Sequence, residues 1–145
     1  MRLVITRVLE ARVTVDGEVV SELPRPGLLV LAGVGRDEQP ADVQKAARRI
    51  HKLRILDGST SVAQSGAPVL VVSQFTLFAS TRKGGVPSWS RAAPADVAEP
   101  IVQQLCDELE SLGVAVHQGR FGAHMEVSSV NDGPVTIWID TANPD

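Results

Sequence analysis

The order of apolar patterns along this chain predicts an α/β fold of mixed strand direction with two main helices. Three observations carry that reading. Apolar residues alternate with polar ones on both sides of Asp16-Gly17; two long segments carry apolar residues at helical spacing; and the remaining apolar runs are short and bounded by Gly, Pro or polar residues. Leu3 and Ile5, then Val13, Val15 and Val19, form the alternating positions, and an Asp-Gly step among them is a strong two-residue hairpin signal. The chain therefore opens with paired strands. After the Pro24-Arg25-Pro26 break, Gly27 to Val34 reads as a mostly buried third strand. A helix follows from about Pro40 to Leu53, because Val43, Ala46, Ala47 and Ile50 make one apolar stripe and Asp37-Glu38-Gln39-Pro40 supplies an acidic start. Gly58 to Pro68 is small, polar and turn-rich, which predicts a loop, and Val69 to Phe78 is the next strand. The second helix spans Pro94 to Leu112, with Pro94 in its first turn, Gly113 at its C-terminal boundary and a kink expected at Pro100. Val114-Ala115-Val116, Met125 to Val130 and Val135 to Thr141 complete the strands.

Composition narrows the function classes. A single domain over 1–145 is expected, and 43% hydrophobic content is enough for a real core. No segment reaches the roughly 18 continuous apolar residues of a membrane span, and the first residues lack the pattern of a secretory signal. The expectation is a cytoplasmic protein with no membrane partner. Cys106 is the only cysteine, which excludes an internal disulfide; between Leu105 and Leu109 it reads as a small buried hydrophobe rather than a nucleophile. His51, His117 and His124 share no ligand-like spacing, so neither a metal nor an organic cofactor is expected.

A net charge of −3 argues against affinity from broad coating of nucleic acid, but the basic residues are concentrated. Lys45, Arg48, Arg49, Lys52 and Arg54 crowd the first helix, where the macrodipole offers one explanation for cations near the C-terminal end. Arg82 and Lys83 follow the most informative string of the chain and read as phosphate contacts.

That string is Ser73-Gln74-Phe75-Thr76-Leu77, where a buried apolar strand runs into polar groups that need partners. Thr76 is the best side chain for a nucleophile or a water-orienting group, although a hydroxyl nucleophile needs an adjacent base and the string has none. Ser73 and Gln74 suit ribose, adenine or buried main-chain groups, and Phe75 suits an apolar wall or a core position. The second string is Asn131-Asp132-Gly133-Pro134-Val135-Thr136. Only an X-Pro bond accepts the cis form cheaply, yet about 5–6% of such bonds are cis, so by itself a trans turn is the commoner form.

Both strings, with Met1 to Val8 and Phe121-Gly122-Ala123-His124-Met125, closely resemble the D-aminoacyl-tRNA deacylase family, and the likeness runs nearly end to end. The resemblance implies a mixed sheet with a barrel-like core and hydrolysis of the ester of D-aminoacyl-tRNA, and of glycine mischarged on tRNA(Ala), by a homodimer. It places Ser73, Gln74, Phe75 and Thr76 in the catalytic site. There, N–H groups near Phe75 and Thr76 hold the scissile carbonyl, and the 2′-hydroxyl of the terminal adenosine assists. It makes Gly133-Pro134 a cis dipeptide that enters the other subunit's site and excludes L-amino acids, tethered by Arg7, with Phe121 and Met125 lining the pocket. A trans Gly-Pro would instead fit an editing enzyme for achiral or L-alanyl errors, and a dimer that only binds tRNA is the rival of another class. The chain departs from the family in a short 57–68 region without the usual Gly-Lys-Met-Asn run, in Val86, in His124 and in having no Tyr.

Overall fold

Asp16 and Gly17 both adopt positive φ, +50° and +80°, the geometry in which a two-residue turn matches the twist of the strands it joins. The turn links β1 (Arg2–Val15) to β2 (Glu18–Glu22) in the computed structural model, which describes residues 1–144. β3 (Gly27–Gly33) pairs antiparallel with the first half of β1, and β4 (Val69–Ser73) and β5 (Val116–Gln118) continue the sheet in parallel. The order is β2-β1-β3-β4-β5, while β6 (Glu126–Asp140) runs antiparallel along the other edge of β1.

The sheet has a core on each face. Leu28, Val30 and Ala32 of β3 join Val69 and Val71 of β4 beneath the helices, whereas Leu29, Leu31, Leu70 and Val72 face the inside of the curled sheet. This is why both strands read as continuous apolar runs. β2 comes round to approach β5, so the sheet nearly closes into the expected barrel-like form.

β1 serves both cores by changing phase. Leu3 and Ile5 point to the helices, but Val8, Ala11, Val13 and Val15 point into the curl. A regular strand keeps odd and even residues on opposite faces, so one extra residue must be inserted after Val8. It is Leu9: Val8 pairs with Asn131 and Glu10 with Val130, two steps in β1 against one in β6. Just before it, Thr6 pairs with Thr136 and Val8 with Asn131, which leaves residues 132–135 of β6 standing out of the ladder. The Gly133-Pro134 peptide in this bulge is cis.

Two helices cover the outer face as expected. α1 (Pro40–Lys52) buries Val43, Ala46, Ala47 and Ile50. After a 3-10 turn (Asp57–Ser59) and the short α2 (Val62–Ser65), α3 (Ala95–Ser111) buries Ala98, Val102, Leu105, Cys106 and Leu109. Burial, reinforced by Asp107 and Glu110, pushes the Cys106 thiol up to about 12.

Four boundaries differ from the sequence reading. The strand expected over 69–78 stops at Ser73, and Phe75–Phe78 is a 3-10 turn. The expected 58–68 loop contains α2, nucleated by a reciprocal cap in which the Ser61 hydroxyl accepts from Gln64 N and the Gln64 side chain accepts from Ser61 N. The strand placed at 114–116 lies at Val116–Gln118, because Val114 is still hydrogen-bonded to the end of α3 through Leu109 O. The two closing strands are one, β6, since the bulge interrupts its pairing without ending it. α3 also continues through Pro100, which sits on the exposed side early in the helix and leaves only the Asp96 carbonyl without its intrahelical donor. Among the described residues no helix is long and apolar enough to cross a membrane.

Candidate active site

Parallel β3 and β4 end side by side, and Gln74 N closes their ladder by donating to Ala32 O, the rung just beyond the Ala32–Ser73 pair. The segment then tightens into the 3-10 turn, with Leu77 N on Gln74 O and Ala79 N on Thr76 O. The first N–H groups of a helical turn have no partner within it. Here these belong to Phe75 and Thr76, and among the described residues no main-chain acceptor takes either. The turn packs tightly on β3: a Cβ added at Gly33 would lie 2.9 Å from Gln74 O and 3.0 Å from Leu77 Cβ. Arg2 holds the other side. Its Nη1 donates to Leu77 O at 2.8 Å, and its guanidinium lies 4.4 Å from the Phe78 ring centre and 5.7 Å from that of Trp138. Asp140 pairs with Arg2 Nε at 3.3 Å; burial alone would raise this carboxyl, but hydrogen bonds from Ala142 N, Asn143 and Arg2 outweigh it and leave it below the usual range.

Over this turn lies a cleft of about 600 Å³, walled by the ends of β3 and β4, the start of α3 and residues 121–125. Of the residues singled out from sequence, Ser73, Gln74, Phe75, Phe121 and Met125 line it. Phe75 is 53% exposed and meets Trp89 edge-on at 5.3 Å, so it forms a wall of the cleft and not a core position. Thr76 is turned away: its hydroxyl accepts a hydrogen bond from Gln74 Nε2. Arg36, Trp89 and His124 also line the cleft, and sequence reasoning did not place Arg36 or Trp89 there. The one available signal was Trp89 in an otherwise polar, Gly-rich stretch. No carboxylate lines the cleft, and among the described residues no group of three His, Cys, Asp or Glu is placed to hold a metal.

Arg82 and Lys83 lie exposed on the loop closed by the Ser80–Ser88 bridge, outside the cleft lining. Gly133, Pro134 and Arg7 are also outside it. These three form a unit of their own. Arg7 Nε donates to Asp132 O at 3.0 Å and Nη1 to Ile55 O at 3.0 Å, with the Asp132 carboxylate 3.4 Å away. Asn131 spans the bulge, its Nδ2 donating to Thr136 Oγ1 at 3.1 Å and its Oδ1 accepting from Val135 N at 3.2 Å. The ends of the second string thus clamp its middle. At Gly133 φ is +128°, and an added Cβ would lie 2.9 Å from Arg7 Nη2, so only glycine fits.

The model of the D-Tyr-tRNA(Tyr) deacylase family matches residues 4–140. The chain belongs to that deacylase family. Similar members include the D-aminoacyl-tRNA deacylase of Kineococcus radiotolerans, 56% identical over 140 residues that cover 97% of this chain and 99% of the relative. That of Mycolicibacterium smegmatis is 53% identical over 142 residues, again covering 97% and 99%. Among solved structures, the c-Myc DNA Unwinding Element Binding Protein matches with a TM-score of 0.89 and 34% identity over 97% of this chain and 98% of its own. A probable eukaryotic D-amino acid tRNA deacylase matches with a TM-score of 0.79 at 16% identity, over 95% of this chain and 97% of its own, a likeness of fold. Fold class and deacylase family therefore stand as the sequence indicated.

Proposed function

We propose that this protein is a hydrolase that cleaves the ester of D-aminoacyl-tRNA, and of glycine mischarged on tRNA(Ala), releasing the free amino acid and tRNA in the cytoplasm. Family membership supports the reaction class. The observation that carries the site assignment is the pair of uncommitted N–H groups at Phe75 and Thr76 in the turn beneath an aromatic-walled cleft that Phe75 lines. Donors fixed where the oxyanion develops favour the tetrahedral intermediate over the ester. An aminoacyl ester is already activated, so a cleft without carboxylates suffices, and the substrate's 2′-hydroxyl assists the attacking water. Thr76 is bonded to Gln74 and takes no part as a nucleophile; it shapes the turn. Phe75 offers its face to the terminal adenine, and Ser73 and Gln74 hold the ribose. Arg82 and Lys83 reach phosphates beyond the cleft.

Selection by configuration is assigned to Gly133-Pro134. The bulge is exposed and lies off its own cleft, so it meets a substrate only by entering a second copy's. A homodimer fits the surface: β6 pairs on one side only, with β1, and leaves Val127, Val130 and Trp138 exposed along a 15-residue edge strand. Single-turnover hydrolysis of matched D- and L-aminoacyl-tRNAs, with Gly-tRNA(Ala) in the panel, tests the reading. D and glycyl esters should be cleaved and L esters spared. Equal cleavage of both enantiomers overturns the sieve, L-alanyl cleavage alone points to the relaxed editing enzyme, and binding without turnover makes the protein a tRNA-binding dimer.

A further inference from the structure

The basic residues of α1 are not used by the site described above. Lys45, Arg48, Arg49 and Lys52 recur at i, i+3, i+4 and i+7, which puts all four on one side of the helix over about 10 Å. All four are exposed, and among the described residues none lies within ion-pair distance of a carboxylate. They edge a groove of about 510 Å³ between α1 and the end of β6, floored by Leu53 and Ile139. The carboxylate on its wall, Asp140, is engaged by Arg2, and Asp42 at the start of the helix accepts from Gln39 N. The macrodipole explains cations in the last turn, but its influence has faded at Lys45 and Arg48. Four cations on one face with no carboxylate among the described residues at ion-pair distance, in a protein of net charge −3, make a local site for a polyanion.

We propose that this face of α1 binds the phosphodiester backbone of the substrate tRNA, an inference that rests on the deacylase reading. Placement supports the choice of occupant. Three residues after Lys52, the Ile55 carbonyl is tied by Arg7 to the Asp132 carbonyl beside Gly133-Pro134. The stripe therefore travels with the turn, and the cleft which that turn completes is the one whose tRNA meets the four cations. Lys and Arg on such a face hold phosphates without reading sequence, and each contact adds close to one unit to the salt slope of binding.

The test compares wild type with K45A/R48A/R49A/K52A in two assays. The first is binding of deacylated tRNA across a salt series. The second is cleavage of D-aminoacyl-tRNA against D-aminoacyl-adenosine, which keeps the ester and terminal nucleoside but lacks the polynucleotide. The expected result is at least 10-fold weaker tRNA binding at low salt, a slope of log K against log salt flatter by about 3, and unaltered cleavage of the adenosine ester. R48K/R49K, which keeps the charge, should bind as wild type does. An unchanged salt slope, or an equal loss on both substrates, overturns the inference. If wild type cleaves neither ester while the slope still flattens in the variant, the deacylase reading fails and the phosphate-binding face stands.

Discussion

Replacing Arg7 with lysine separates a residue that aims the Gly133-Pro134 turn from one that is merely charged. The guanidinium spans two carbonyls, Asp132 O through Nε and Ile55 O through Nη1, both at 3.0 Å, with its side chain 20% exposed. An ammonium group is a single point and satisfies one of them. A hydrogen bond from a charged donor contributes about 1.5–3 kcal/mol, and partial exposure favours the lower end, so Arg7→Lys should lose about 1.5–2 kcal/mol. If the loss falls on the aim of the turn in the transition state, kcat/KM for D-aminoacyl-tRNA drops roughly 10- to 30-fold. Arg7→Ala removes both bonds and strands the Asp132 carboxylate, for about 3–4 kcal/mol. Steady-state kinetics and thermal melts on the same preparations decide the matter. A kcat/KM for Arg7→Lys within twofold of wild type, or a lowered melting temperature with unchanged turnover per folded molecule, would refute the tether.

Phe75→Ala should cost only about 1 kcal/mol of stability, the worth of an edge-to-face pair with Trp89 on an exposed ring, yet lower kcat/KM by tenfold or more; a loss confined to the melt would make Phe75 a packing residue. Thr76→Ala should retain turnover within about tenfold, whereas loss of a true nucleophile costs several orders of magnitude, and rapid-quench experiments should find no acyl-enzyme. Cys106, with its thiol raised from 9.0 to about 12, should resist alkylation at pH 8–9 until the protein unfolds. Because the raised group is neutral in the folded state, its contribution to stability is complete below about pH 9 and is lost as pH rises toward 12, which melts across that window will show. Val130→Asp, on the exposed edge of β6, should weaken self-association and activity in parallel. In a two-fold dimer the loss counts twice, so about 1 kcal/mol per copy becomes roughly a 30-fold rise in the dimer dissociation constant; a fully active monomer would exclude the shared site.

Much of this architecture was legible because its signals are local. Asp16-Gly17, the α1 stripe and Gly113, whose φ of +87° ends α3, each specify their own structure. The polar interruption after Val72 was legible as a site but misread as strand, since the chain turns just where the ladder ends with Gln74 N on Ala32 O and there packs closely on Gly33. No periodicity in 73–78 encodes either contact. The unity of β6 was hidden for a similar reason: a Gly-Pro step reads as an end of pairing, and only the register with β1 shows that pairing resumes at Thr136. Arg36 and Trp89 are distant from Phe75 in sequence and reach the cleft through tertiary contacts with no short-range signature, among them the bridge of Gly35 to Ala92 and the bond from Ala93 N to Val34 O.

A main-chain turn suits the task assigned to it better than a side chain would. Two enantiomers present the same groups, so a pocket that reads size or polarity sees nearly equal partners, and even an added methylene separates substrates by only about 1–3 kcal/mol. Configuration differs in one respect, the direction in which the substituent leaves Cα. A wall set against that direction rejects by overlap whatever the substituent is, provided the wall does not yield. A side chain yields by changing rotamer at modest cost. The 132–135 segment is denied that freedom, with Arg7 on its carbonyl, Asn131 bridging its two ends and no room for a Cβ at Gly133. On the proposed reading the same geometry would pass glycine, which has no side chain to exclude, and would accept D substituents of unlike chemistry because they would point away from the wall. On that reading, broad tolerance of side chain and strict rejection of configuration would both follow from one rigid element, and because that element lies off its own cleft a second copy would have to deliver it.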